Sequence, residues 1–383
     1  MKVVKVTGHR VDPGWRKNWI FVQVETDDGI TGWGECYSQS DRDLAVLAQV
    51  TELGRYLTDR DPQLIRHFRH IVFNDYVGRR GSMEVFSALS GIEAALWDIV
   101  GKACGQPVHA LLGGRVRESV RVYANGWSHG MKDPKGIAEA ASAVVEGGYT
   151  ALKLDPLPGP VRSFIDRNEI NAACRVVEAV RDAVGPDVDL LVDAHRRLSA
   201  SNAMALERRF RDYDLFWYEE PCPCENVAAL REVRDRSETP IVTGEAAYTK
   251  FGFAEIIRNR AVDILNPDVA ACGGILELLE IAAMAAAEHI ALSPHNYNST
   301  TLALSATVHA SLCAENFLIT EYFMPFEEVG LTVAPDALTP VGGYIKAPDA
   351  PGLGLTIDQA VIAERPGRVY PARGLPNVGT EGP

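Results

Sequence analysis

Three short apolar runs in the middle of the chain each end in an acid. Residues 190–192 lead to Asp193, residues 215–218 to Glu219, and residues 240–243 to Glu245. The acids fall about 26 residues apart, close to the length of one strand–helix repeat in a parallel α/β fold. Carboxylates closing three successive parallel strands converge on one point. Three hard oxygen donors with no thiolate among them suit Mg²⁺, with Mn²⁺ also fitting, rather than Zn²⁺. The plainer alternative is three unrelated helix N-caps, since Asp is common where a strand turns into a helix.

The surrounding pattern favours convergence. At 383 residues, 46% hydrophobic and 23% charged, the chain has an ordinary globular composition. Its net charge is -13 and it carries no dense Lys/Arg patch, which argues against nucleic acid and anionic membranes as partners. No apolar run reaches 18 residues, and the N-terminus lacks a signal pattern. Seven scattered cysteines read as reduced thiols, and the expected location is cytoplasmic.

Residues 2–7, 19–25 and 30–36, with the turn Asp27-Asp28-Gly29, predict an antiparallel meander. Helical spacing follows over 43–73, through Leu44, Leu47, Val50, Leu53 and Leu57, and again over 83–103. The first 120 residues therefore form an α+β unit. Beyond Gly113-Gly114, short strands alternate with Gly-terminated helices in eight βα-like units, the pattern of a parallel barrel. No G-x-G-x-x-G supports an open dinucleotide-binding sheet. The expected organisation is 1–120 as the α+β unit, 121–330 as the barrel, 331–365 returning to the first unit, and 366–383 as an exposed tail.

Polar residues at the carboxyl ends of barrel strands form active sites. In order they are Lys153 and Asp155, Asp193 and His195, Glu219, Glu245, Asp268, His295 and Glu321. His195 lies two residues past Asp193, so strand alternation aims both at one cavity. Asp268 and His295 close neighbouring strands, where an aspartate would orient the imidazole and raise its basicity. Lys153 beside these acids would supply positive charge to a substrate carboxylate. Asp155 reads equally as structural. A divalent ion on the three acids, with two histidines beside it, suits removal of a proton next to a carboxylate.

The chain as a whole resembles the enolase superfamily, in the subgroup typified by mandelate racemase. The motifs that carry the likeness are Gly32-Trp33-Gly34-Glu35, Ala95-Leu96-Trp97-Asp98, the acids at 193, 219 and 245, Asn266-Pro267-Asp268 with Gly273-Gly274, Pro294-His295, and Pro351-Gly352-Leu353-Gly354. The resemblance implies an α/β fold: a modified TIM barrel, (β/α)₇β, under an α+β capping domain. It further implies Mg²⁺ on the three acids, an Asp268–His295 acid/base dyad, and Glu321 hydrogen-bonding the substrate carboxylate. Many relatives carry Lys-x-Lys on the second barrel strand. This chain has Lys153-Leu154-Asp155, so that lysine base is missing, and the Asp193-Ala194-His195 arrangement looks like the galactonate and gluconate dehydratases instead. The implied reaction is dehydration of a sugar acid to a 2-keto-3-deoxy acid, with His295 as C2 base and His195 as acid. An epimerase, racemase or cycloisomerase on the same scaffold is the alternative. Capping-domain loops would set specificity, with Trp15 and Tyr76 flanking the sugar chain and Arg79 and Arg80 reaching distal hydroxyls. A homo-oligomer, dimer or octamer, is the family expectation.

Overall fold

Alternating residues and the Asp27-Asp28-Gly29 turn build a three-stranded antiparallel meander of β1 (Val3–Val11), β2 (Trp19–Thr26) and β3 (Thr31–Cys36), in that order. The computed structural model describes residues 1–39, 41–131, 133–157 and 163–371. Helical spacing over 43–73 resolves into two helices, α1 (Asp43–Gly54) and α2 (Ile65–Ile71). Asp59 lies between them with φ of 63°, and Pro62 follows, so the backbone cannot continue one helix. The long α3 (Met83–Cys104) ends at Gly105 in the left-handed region, and the short α4 (Val108–Leu111) completes this layer.

Eight parallel strands follow: β4 (Ser119–Asn125), β5 (Ala151–Leu154), β6 (Asp189–Asp193), β7 (Trp217–Glu219), β8 (Ile241–Thr243), β9 (Ile264–Leu265), β10 (Ala291–Leu292) and β11 (Thr320–Phe323). Seven helices link them: α5 (Pro134–Glu146), α6 (Arg167–Val184), α7 (Ala200–Phe210), α8 (Val227–Arg236), α9 (Thr249–Arg258), α10 (Ile275–Ala287) and α11 (Leu302–Cys313). Each strand pairs with its neighbours in chain order, β11 pairs with β4, and a parallel bridge between Leu292 and Phe317 joins the last two strands. The result is a (β/α)₇β arrangement. Its interior is filled by a buried cluster of Tyr123, Ala151, Leu191, Trp217, Val242, Ile264 and Ile319. One period-two step further along these strands lie Asn125, Lys153, Asp193, Glu219, Asn266 and Glu321. The pleat that packs the core thus also delivers a ring of polar groups to the carboxyl-end mouth.

Three buried carboxylates from the first unit fasten it to later parts of the chain, two of them to the barrel. Glu35, at the end of β3, accepts from Ser299 Oγ at 2.7 Å and from the Ala303 N–H at 2.9 Å, in the first turn of α11. Glu93 of α3 accepts from the Ile275 and Leu276 N–H groups that open α10, at 2.8 and 3.1 Å. Each fills the anion-seeking N-terminus of a helix from the other unit. Asp98 accepts from the Trp33 N–H at 2.9 Å and the Leu353 N–H at 2.8 Å. Gly32 and Gly34 let β3 lie directly on α3: a Cβ on Gly34 would overlap the Gly91 carbonyl oxygen.

After β11 the chain forms α12 (Glu327–Val333), then β12 (Tyr344–Lys346), which pairs antiparallel with β4, then α13 (Gln359–Glu364). The start of the segment expected as an exposed tail from 366 is exposed at Pro366, Arg368 and Val369, yet it is tethered to β1. Pro366 bridges Val11, the Gly367 N–H donates to the Arg10 carbonyl at 2.8 Å, and Arg368 pairs with Asp12 at 2.7 Å. Unpaired backbone along the β1 edge gives this segment partners that its Pro/Gly content conceals. Residues 372–383 lie outside the described residues. No described helix is long and apolar enough to cross a membrane.

The close approach of β3 and α3 makes a test. Gly34→Ala should destabilise the fold by more than ~3 kcal/mol, because a rigid backbone must yield. Gly252→Ala, in α9 where an added Cβ meets nothing within 4 Å, should stabilise by about 0.5–1 kcal/mol. Urea denaturation midpoints of the two variants would check the contrast.

Candidate active site

Asp193 and Glu219 end adjacent strands in direct register, β6 against β7. Glu245 follows β8 across Gly244, whose φ of 142° turns the chain so that the next side chain points back over the mouth. One carboxylate oxygen from each of the three lies within 4.8 Å of the others. At that separation two unit charges repel by roughly 3.5 kcal/mol even at an effective dielectric of about 20. Fixed cations oppose this. Lys153, buried on β5, places Nζ 2.9 Å from Glu219 Oε1 and 3.5 Å from Asp193 Oδ2. Asn266 and Trp217 donate to the two oxygens of Glu219, at 2.8 and 3.0 Å. Burial and the neighbouring Asp193 and Glu245 hold Glu219 above the carboxylate range, near 8, although Lys153 pulls it down.

Each histidine is held between an aspartate and a member of this trio. His295 Nδ1 is 2.7 Å from Asp268 Oδ2, and its Nε2 is 3.2 Å from Glu245 Oε2 and 3.6 Å from Glu321 Oε2. His195 Nδ1 is 3.1 Å from Asp155 Oδ2, and its Nε2 is 3.3 Å from Asp193 Oδ2. The first pair is buried; the His195 side chain is 46% exposed. Burial alone would lower both imidazoles. For His295 the charges of Glu245, Glu321 and Asp268 overcome it, and for His195 those of Asp193 and Asp155 do, so each ring is pushed up to about 9. Glu321, on β11, accepts from the Asn125 side chain and from the Asn296 N–H at 3.1 Å. Burial would raise it, but Lys153 and His295 hold it low.

These groups line one cavity of about 870 Å³, between the barrel mouth and the segment joining β1 to β2. Lys153, Asp193, His195, Glu245 and His295 are on its wall, while Glu219, Glu321 and Asp268 stand directly behind. Of the capping-loop expectations, Trp15 packs one layer back, stacking on Phe323 and meeting His129 edge-on. Tyr76, Arg79 and Arg80 are not brought to this cavity. The Tyr76 hydroxyl donates to Gln49 at 2.9 Å and its ring packs on Tyr56. Arg79 donates to Asn74 at 3.3 Å, and Arg79 and Arg80 are both exposed. Tyr76 closes a π-helical segment (Val72–Tyr76) and is tied to α1 through Gln49.

Two features were not settled by the sequence. Asp155 belongs to the site: it orients His195 and also pairs with Arg197. The signal was present, since Asp155 is two residues past Lys153 on the same strand face. Lys17, 4% exposed, lines the cavity between the rings of Tyr37 and Tyr297, at 5.0 and 5.6 Å. Among the described residues no carboxylate lies within ion-pair reach of it, and burial pulls its ammonium down to about 8. Asp155→Asn removes a charge that raises His195, so that ring's titration should move down from about 9 in the metal-free protein while His295 stays in place. Ring-nitrogen NMR over a pH series would read both.

The chain matches two family models: "Mandelate racemase / muconate lactonizing enzyme, N-terminal domain" over residues 13–113 and "Enolase C-terminal domain-like" over residues 136–361. It is 35% identical over 374 residues to a D-galactonate dehydratase of Ralstonia pickettii (strain 12J), covering 95% of this chain and 94% of that protein. It is 33% identical over 353 residues to a D-gluconate dehydratase of Thermoproteus tenax, covering 92% and 70%. Among solved structures, a mandelate racemase/muconate lactonizing enzyme-like protein from Roseovarius sp. TM1035 superposes with a TM-score of 0.90 at 32% identity, covering 96% of both chains.

Proposed function

The chain belongs to the mandelate racemase/muconate lactonizing enzyme family of the enolase superfamily, and from that premise we propose that it dehydrates an aldonic acid, galactonate- or gluconate-like, to the 2-keto-3-deoxy acid. It is a hydro-lyase of the sugar-acid dehydratase group. The observation that carries the finer reading is the pair of imidazoles, each backed by an aspartate and turned toward one carboxylate trio.

Asp193, Glu219 and Glu245 fit a hard divalent ion, Mg²⁺ or Mn²⁺: three convergent oxygens, no sulfur, and a mutual repulsion that a cation relieves. Bound there, such an ion supplies positive charge to a substrate carboxylate and lowers the energy of the enediolate left when the C2 proton departs. Lys153 orients that carboxylate by charge, and Glu321, held in place by Asn125 and the Asn296 N–H, hydrogen-bonds it through a proton shared between the two carboxyl groups. His295 takes the C2 proton at Nε2, since its Nδ1 is committed to Asp268. Glu245, the largest charge raising His295, belongs to the trio, so neutralising the trio frees that ring to act as a base. His195, tied to Asp155 and Asp193 and more open to solvent, donates its proton to the departing 3-hydroxyl. The enol then ketonises.

The test is a panel of five- and six-carbon aldonic and aldaric acids with Mg²⁺, assayed for 2-keto-3-deoxy products. Epimerised acid in place of keto product would mean that the two histidines act as a two-base epimerase. Chelation should abolish turnover, and Glu219→Gln should weaken Mg²⁺ binding in calorimetry. His195→Asn should stop dehydration by a factor on the order of 10²–10⁴ yet retain C2 deuterium exchange, whereas His295→Asn should lose both. Exchange lost in His195→Asn and kept in His295→Asn would reverse the two roles. Lys17→Met should raise KM for six-carbon acids about tenfold with kcat little changed, because a buried ammonium facing the cavity binds substrate without meeting the reacting atoms. Steady-state kinetics would separate the two constants.

A further inference from the structure

Arg196 follows His195 and is the second of two consecutive residues in the left-handed region, with φ of 60° after 50°. A non-glycine residue is held there at a backbone cost that glycine would avoid. Its side chain is where that cost is offset. One guanidinium nitrogen, Nη1, pairs with Glu245 Oε1 and lies 3.1 Å from Glu220 Oε2. Glu220 is fully buried, itself has φ of 47°, and accepts from the Thr243 hydroxyl at 2.6 Å and the Gly244 N–H at 3.0 Å. Glu220 is therefore a fixed anchor. Arg196 spans from it to Glu245, the one trio member that Lys153 does not reach within ion-pair distance among the described residues.

We propose that Arg196 is the standing counter-cation of Glu245: it holds the acidic trio together before a divalent ion arrives and, by occupying one oxygen of that carboxylate, limits how tightly the ion is then bound. The inference rests on the metal reading above but concerns a positioning residue, and its two effects have opposite signs. Arg196→Met keeps the bulk and removes the charge. In the metal-free protein it should lower the melting temperature by several degrees, because the carboxylates lose their guanidinium and are left with Lys153 and the two imidazoles, His295 on Glu245 and His195 on Asp193. The same variant should bind Mg²⁺ more tightly, on the order of tenfold, since a competing unit charge has gone. Consequently the rise in melting temperature on adding Mg²⁺ should be larger than in the unmodified protein. Arg196→Gly should tighten Mg²⁺ in the same way but cost less stability, because it also relieves the left-handed backbone. Arg196→Lys, which keeps a charge, should resemble the unmodified protein in both respects.

Calorimetric Mg²⁺ titration and melting curves with and without the ion decide the matter. Weaker Mg²⁺ binding in Arg196→Met and Arg196→Gly would overturn the proposal, showing that the arginine merely holds Glu245 in place. Unchanged Mg²⁺ affinity in both would also overturn it, while leaving the metal reading intact. Mg²⁺ binding by Arg196→Gly but not by the unmodified protein would support it in extreme form. Failure of every form to bind Mg²⁺ would overturn the metal reading and this inference together.

Discussion

Electrostatic repulsion among Asp193, Glu219 and Glu245 is the constraint to which the rest of the molecule answers. Three carboxylates do not gather at a barrel mouth unless something compels them. Strand register compels Asp193 and Glu219, the turn at Gly244 compels Glu245, and two cations rooted in the scaffold make the gathering tolerable. Lys153 comes up from inside the barrel, and Arg196 reaches across from a loop. The histidines lie one shell further out, each restrained by its own aspartate. Charges therefore alternate outward from the centre, so removing one group is felt by its neighbours on both sides.

The same economy governs the joint between the two units. Glu35, Glu93 and Asp98 are buried, and burial raises all three, yet each is surrounded by donors. Two meet helix N-termini belonging to the opposite unit, and the third joins a strand of the first unit to a segment near residue 353. Charge-assisted bonds of this kind are directional, which an apolar interface is not. They fix where β3 and its attached segments sit over the barrel, and hence where Lys17 enters the cavity.

Much of this could be read from the residues. The acid-terminated runs, the alternation in the meander and the Gly-terminated helices are local patterns, and they led to the observed elements and to the three acids that the structure brings together. Asp268 with His295 was legible because both close short strands. The groups that were missed depend on direction or distance. Asp155 was left open although its spacing from Lys153 carried the information. Lys17 lies two residues past Trp15, in a capping loop expected to set specificity, but it was not singled out, because burial of a loop lysine depends on what packs over it. Arg196 was passed over, since nothing local reports a left-handed backbone. Tyr76, Arg79 and Arg80 were sought at the cavity since loops carry function, but Tyr76 is taken up by Gln49 and Tyr56 and the two arginines are exposed. The Pro/Gly composition after 365 concealed a bridge to β1.

That bridge has a consequence for how the molecule is made. The first unit takes its edge partner from residues 366–368 and a backbone donor for Asp98 from residue 353. A nascent chain leaving the ribosome can form the meander and α3 early, but this layer stays incomplete until the 262 residues from position 105 to Pro366 have also been synthesised. Early and late segments then assemble as one cooperative piece, so the order of synthesis and the order of completion differ.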